Sequence, residues 1–154
     1  MMQVLVAAVV ACAFPTGDAV APVRGEVVSR YAAPSCARCA GRRGITVDTG
    51  GHLPVVATRS GRITFAGDVA GVLWVVQEVA PNVRVTYGRL SSIATGVSEG
   101  VEIPRGATLG GSSGRVHLGV RRGDRYTDPL PCWARRVRLV PVPESVVGAF
   151  NPSR

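Results

Sequence analysis

The sequence predicts an all-β fold, a compact antiparallel sheet in one domain. Short segments alternate apolar with polar residues, which is the pattern of strands that bury one face. Turn residues separate these segments, because the 154-residue chain carries 19 glycines and 11 prolines. No stretch has the apolar spacing of an amphipathic helix. A chain of this length accommodates one hydrophobic core.

The predicted strands follow one another at short intervals, as in a sandwich or barrel. In chain order they cover residues 25–31, 45–48, 55–58, 62–67, 72–79 and 83–90, followed by a glycine-spaced loop-and-strand segment at 96–111. The second and third predicted strands flank the turn TGGHLP, in which we interpret His52 as a surface turn residue.

Residues 112–130 (SSGRVHLGVRRGDRYTDPL) predict a β-hairpin that turns at Arg-Arg-Gly-Asp. Period-two alternation directs Val116, Leu118 and Val120 toward the core. His117 is therefore expected to point away from the core, beside Gly119. A histidine in such a strand has either a structural role or a role as a ligand.

The first 21 residues are predicted to be a signal peptide or a lipoprotein signal. An apolar run from Val4 to Phe14 precedes small residues that suit cleavage. Val9–Cys12 also resembles a lipoprotein signal, in which Cys12 carries the lipid and anchors the protein to a membrane. A buried N-terminal segment is the third interpretation. Residues 22–133 then form the β domain, and 134–154 form a proline-broken tail.

The charge of the chain favours anionic partners. All 18 basic residues are arginine, and 10 acidic residues leave a net charge of +8. No basic run with interleaved aromatic residues occurs, so we expect no nucleic-acid partner. The alternative is that the arginines are spread over solvated strands without a specific partner.

The cysteines leave several interpretations open. Export would place Cys36, Cys39 and Cys132 where disulfides form, and closing one pair would leave one thiol. The Cys36-x-x-Cys39 spacing also suits metal ligands or a redox dithiol.

The order of the motifs resembles the LytM/lysostaphin-type zinc peptidases, which cut peptide cross-bridges in bacterial peptidoglycan. The resemblance covers roughly residues 22–130 and implies the compact antiparallel sheet, or split barrel, of the duplicated hybrid motif fold. The matching segments, in order, are GI (44–45), LPVVA (53–57), SGRITFAG (60–67), VTYGRL (85–90), GATLG (106–110), HLG (117–119) and Asp128-Pro129.

The resemblance also implies that most catalytic positions have been substituted. Arg42 and Thr46 stand where the family has its first two zinc ligands, a histidine and an aspartate. Arg89 and Arg115 replace two further histidines, and only His117 keeps a family zinc ligand. Catalytic zinc takes three protein ligands and an open position for water, whereas a guanidinium has no free acceptor.

We therefore expect a degenerate, non-catalytic member without a cofactor. It would be an exported, cell-envelope protein that binds peptidoglycan or another anionic wall polymer, or that regulates a cell-wall hydrolase. The substitutions predict a ligand-binding pocket in which Arg42, Arg89 and Arg115 surround His117 and bind carboxylate or phosphate in a bidentate manner. The alternative is that these arginines reach into solvent or pair with Asp48 and Glu26.

The alternative function is an active zinc endopeptidase with a rebuilt metal site. Its ligands would be His117 together with Cys36, Cys39 or Asp48, because two thiolates and an imidazole form one type of catalytic zinc site. The other interpretation is that the two cysteines form a disulfide or are loop residues without a functional role.

Overall fold

The computed structural model describes residues 12–14 and 18–133, which form an antiparallel β structure with one short helix, α1 (Leu130–Trp133). The all-β prediction is confirmed. The strands are β1 (Glu26–Ser29), β2 (Ile45–Asp48), β3 (Pro54–Val56), β4 (Gly61–Val69), β5 (Val72–Ala80), β6 (Val83–Leu90), β7 (Ser92–Ile93), β8 (Glu102–Ile103), β9 (Thr108–Gly111), β10 (Arg115–Arg122) and β11 (Arg125–Thr127).

Two sheets build the domain. The larger has eight strands in the order β1-β2-β10-β6-β5-β4-β8, with β11 paired to β10. The smaller has three strands in the order β3-β9-β7. All of the strand pairs are antiparallel.

The core lies between the two sheets. One buried cluster contains side chains from the large sheet together with Val55 of β3 and Leu109 of β9. Every second residue of the central strands enters it, as the pleat of a strand requires. The fully buried side chains of β10 are Val116, Leu118 and Val120. The alternation predicted for this hairpin strand is confirmed.

Described residues before position 22 contact this domain. Ala13 and Phe14 are buried in the core, and the backbone N–H of Val20 donates to the carbonyl of Thr58 over 3.0 Å. The boundary between residues 21 and 22, as the end of a signal, stays a prediction. The predicted tail at 134–154 lies outside the described residues.

All four cysteines are in disulfides, so the expectation of one free thiol is wrong for this structure. Cys12 pairs with Cys132 across 120 residues of chain, and Cys36 pairs with Cys39. Within a signal, Cys12 would be unavailable for pairing, and an odd number of cysteines would remain. A sulfur in a disulfide carries no lipid, so the Cys12–Cys132 bond and a lipid on Cys12 exclude each other.

A buried polar network centres on Tyr87 and Gln77, and Trp133 contacts it through Thr58, whose backbone N–H donates to the Tyr87 hydroxyl. The hydroxyl of Tyr87 donates to Gln77 Oε1 over 3.0 Å, and Gln77 Nε2 donates to the carbonyls of Arg59 and Gly61. Burial raises the pKa of Tyr87 well above its usual range. The Trp133 indole N–H donates to the buried Thr58 hydroxyl over 2.6 Å. Every polar atom of the Gln77 amide group thus has a partner, as burial demands.

Among the described residues, no helix has the length and apolar character that spanning a membrane requires.

Candidate functional site

The candidate site lies on the outer face of the large sheet, the face that β10 turns away from the core. His117 is directly opposite Thr46 of β2 and Gly88 of β6. A Cβ atom added to Gly119 would lie 3.6 Å from His117 Nε2, which places residues 117 and 119 on the same face. The prediction that His117 points away from the core is confirmed.

Glycines make room for the imidazole ring. A Cβ atom built on Gly44 would lie 2.8 Å from both Cε1 and Nε2 of His117, inside van der Waals contact. Any larger residue at position 44 would therefore displace the ring or the strand. The Gly44 of the GI motif thus has a local packing role beside His117.

Trp74 of β5 occupies the space on the other side of His117. The two ring centroids are 5.7 Å apart with an interplanar angle of 65°, an edge-to-face arrangement. The indole also covers Gly88, because an added Cβ at that position would lie 2.1 Å from Trp74 Cζ3. The sequence analysis did not identify Trp74. The available clue was a tryptophan in one predicted strand and a glycine in the next.

The environment favours the neutral form of His117. Burial lowers its pKa, and the positive charge of Arg89 lowers it further. Within the described part of the chain, no side chain or backbone group forms a hydrogen bond with the imidazole ring. The ring is held by packing between glycines and an indole.

Arg89 is the extra residue of a β-bulge. Gly88 is opposite Trp74 and Leu90 is opposite Leu73, which leaves Arg89 without a partner on β5. Its φ of 59° is in the left-handed region, which is uncommon for a side chain other than glycine or asparagine. Bulges of this kind re-aim a side chain beside a functional site. Here the bulge presents an exposed arginine close enough to His117 to affect its pKa.

The other two arginines of the predicted pocket have partners of their own. Arg42 is exposed, and its Nε donates to the carbonyl of Arg30 over 2.8 Å. Arg115 is opposite Asp48 in the register of β10 and β2, and its Nε lies 3.7 Å from Asp48 Oδ2. Of these three arginines, only Arg89 lowers the pKa of His117. Arg115 thus pairs with Asp48, as the alternative expectation for these arginines states.

The side chains around His117 do not fit a catalytic zinc ion. Cys36 and Cys39 are bonded to each other, and Asp48 accepts the Gly50 N–H and pairs with Arg115. Over residues 12–14 and 18–133, no group of three or more His, Cys, Asp or Glu side chains is placed to hold a metal ion. The rebuilt ligand set is therefore not assembled, and one imidazole falls short of the three ligands that such a site uses.

His52 is exposed in its turn, and its Nδ1 lies 3.1 Å from the carbonyl oxygen of Ser112. This agrees with the interpretation of a surface turn residue.

Comparison with solved structures identifies the architecture. The chain matches Csd3 of Helicobacter pylori with a TM-score of 0.68 and 20% identity, over 75% of this chain and 34% of that one. It matches a structure of the SpoIIQ–SpoIIIAH pore-forming complex with a TM-score of 0.66 and 19% identity, covering 89% of this chain and 100% of that one. The chain has a LytM-like fold.

The catalytic domain of lysostaphin from Staphylococcus simulans has the same LytM-like architecture, with a TM-score of 0.58, 18% identity and coverage of 70% and 90% of the two chains. No protein-family model matches the chain. No curated protein matches it either. The chain spans about a third of the length of the Csd3 chain that it matches. At these identities the likeness concerns the fold alone.

Proposed function

We propose that this chain is an exported cell-envelope protein whose LytM-like domain binds peptidoglycan, or regulates a wall hydrolase, without hydrolysing peptide bonds itself. The observation that carries the proposal is the packing of His117. Its ring lies between Gly44 and the indole of Trp74, where a peptidase would need two more ligands and an open position for water. A binding domain requires neither.

The charge of the outer face supports an anionic ligand. The side chains of Arg42, Arg89 and Arg115 are exposed, and the resemblance implies that these positions hold histidines in active members of the family. Each guanidinium has five N–H donors, so the single contacts of Arg42 and Arg115 leave donors for a carboxylate or phosphate. Wall polymers supply both groups.

Regulation through a protein partner is supported by a different observation. One of the structural neighbours comes from a complex of two proteins, SpoIIQ and SpoIIIAH. A LytM-like domain can therefore stand in an assembly in which its surface contacts another chain.

The metal content of the purified full chain tests the absence of catalysis. After exposure to zinc and gel filtration, we expect well below one zinc per chain, because one imidazole does not hold the ion. About one zinc per chain that is lost in His117→Ala would overturn the proposal. It would favour the active endopeptidase, and cleavage of peptide cross-bridges would then be assayed.

Retention on purified peptidoglycan tests the binding. The variant Arg42→Ala/Arg115→Ala should be retained more weakly than the wild-type chain. The variant Arg24→Ala/Arg38→Ala is a matched control, since it removes the same charge from two other exposed positions. Equal retention of the two double variants, whether both are weakened or both match the wild-type chain, would refute a site around His117.

A further inference from the structure

A row of charged side chains crosses the outer face at the end of the strands away from His117. The register of the sheet aligns one residue from each of five neighbouring strands, β10, β6, β5, β4 and β8. In this order they are Arg121, Arg84, Glu78, Arg62 and Glu102.

The charges in this row do not cancel. Arg62 pairs with Glu102 over 3.1 Å, and Arg84 lies 3.6 Å from Glu78. Arg121 contacts the ring of Tyr126, whose centroid is 5.9 Å from its guanidinium carbon. Over the described residues, no carboxylate lies within 4.0 Å of Arg121.

Arg121 is also directly opposite Arg84 across the β10–β6 pair. Like charges in directly opposed positions destabilise a sheet, so the pair costs stability in the absence of an anion. Two guanidinium groups facing the same space form a site for an oxyanion, because each offers a planar fork of N–H donors.

The space in front of these arginines is a cleft of about 500 Å³. Its basic side is formed by Arg62, Arg84 and Arg121, and its apolar side by Phe65 and Val76. Glu99 also lines it and is the one acidic residue of the lining.

An apolar strip continues from this cleft toward His117. It shares Phe65 and Val76 with the cleft and extends through Trp74, the residue that contacts the imidazole. An extended ligand that follows the strip would place an apolar portion on these side chains and its charged end among the arginines.

We propose that the cleft binds the oxyanion end, a carboxylate or a phosphate, of an extended and partly apolar ligand, with Arg121 and Arg84 as the anion-binding residues. This deepens the proposed function, on which it rests for the nature of the natural ligand. It adds a second anion contact, at the end of the outer face away from His117.

Titration of the ¹⁵N-labelled full chain, monitored by its amide resonances, tests the proposal. The probes are inorganic phosphate and N-acetyl-trialanine, the peptide being used both as the free acid and as the C-terminal amide. The amides of β6 and β10 near Arg84 and Arg121 should shift with phosphate or with the free acid. The amide peptide should bind about tenfold more weakly than the acid, the ratio expected from losing one charged hydrogen-bonded contact.

The variant Arg121→Gln should lose about tenfold in affinity for the anion on the same grounds, whereas Arg24→Gln at a distant exposed position should not. Arg121→Lys keeps the charge without the fork, and an intermediate loss in this variant would support bidentate binding. Well-dispersed amide spectra of the variants establish that they are folded.

Binding of phosphate without the acid peptide would assign the anion to a phosphate source, and binding of the acid peptide would assign it to a carboxylate. Absence of shifts with both probes, or equal affinities of Arg121→Gln and Arg24→Gln, would overturn the proposal. If the wild-type chain is not retained on purified peptidoglycan, only the proposed function is refuted. The titrations are unaffected by that result, because they involve no wall material.

Discussion

Replacing Gly88 with alanine should destabilise the domain by displacing Trp74. The new Cβ would lie 2.1 Å from Cζ3 and 2.3 Å from Cε3 of the indole. Carbon atoms pack at about 3.5–4.0 Å, so the ring would have to move by more than an ångström or leave its position. Overpacking of this kind costs about 1–3 kcal/mol in the free energy of unfolding.

The conformational entropy of the unfolded chain has the opposite effect on stability. Replacing glycine with alanine restricts the unfolded chain and stabilises by about 0.4–1 kcal/mol where the backbone tolerates it. The expected net loss is therefore centred near 1 kcal/mol, within a range of about 0–2.6 kcal/mol that the overpacking cost and the entropy gain span together.

Gly67→Ala is the matched control. Gly67 is opposite Trp74 on the neighbouring strand, and its added Cβ would meet Phe65 at 3.5 Å, an ordinary contact. We expect this variant to be as stable as the wild-type chain or up to about 1 kcal/mol more stable.

Urea unfolding with the disulfides intact measures both free energies. The indole N–H resonance of Trp74, one of two tryptophans in the chain, reports the displacement of the ring independently. Equal stabilities of Gly88→Ala and Gly67→Ala, with an unchanged Trp74 resonance, would refute the reasoning that this ring fills the space beside His117.

Three further predictions concern the Cys12–Cys132 disulfide, the buried Gln77 amide and the titration of His117. Replacing both cysteines of the Cys12–Cys132 disulfide should cost about 3–5 kcal/mol of stability in chemical denaturation, since the bond closes a loop of 120 residues. Gln77→Leu should cost about 2–3 kcal/mol in the same assay, because it leaves buried polar partners unsatisfied, and a loss within 0.5 kcal/mol would contradict this. The imidazole of His117 should titrate below pH 6.5 by NMR, and Arg89→Gln should raise that midpoint by removing a positive charge. Since the unfolded histidine binds a proton more readily, the contribution of His117 to stability is complete above pH 6.5 and falls as the pH drops toward the folded-state pKa.

The sequence could predict the strands because their pattern is local. Alternation alone located β10 and correctly directed Val116, Leu118 and Val120 inward, and turn residues placed the hairpin between β4 and β5. Boundaries moved by a few residues where pairing partners decide them, as at β1, predicted over 25–31 and observed over Glu26–Ser29. The fold class needed no knowledge of which strands are neighbours.

The site depends on contacts that no local pattern encodes. That Trp74 lies on Gly88 follows from the register between β5 and β6, and this register changes at a bulge. The partner of Arg115 likewise follows from the register of β10 against β2. The pairing of Cys12 with Cys132 joins the two ends of the described chain, so reasoning that set the first residues aside as a signal could not find it.

The two faces of the large sheet separate the residues that build the fold from those that build the candidate site. Because successive side chains of a strand alternate between faces, the core is built from one set of residues and the outer face from the other. Arg89 and Arg115 expose their charges on the solvent side, while Val116 and Leu118 are buried. The outer face can therefore carry guanidinium groups at little cost to folding. The same separation predicts that variants of Arg84, Arg115 and Arg121 will change binding far more than they change the free energy of unfolding.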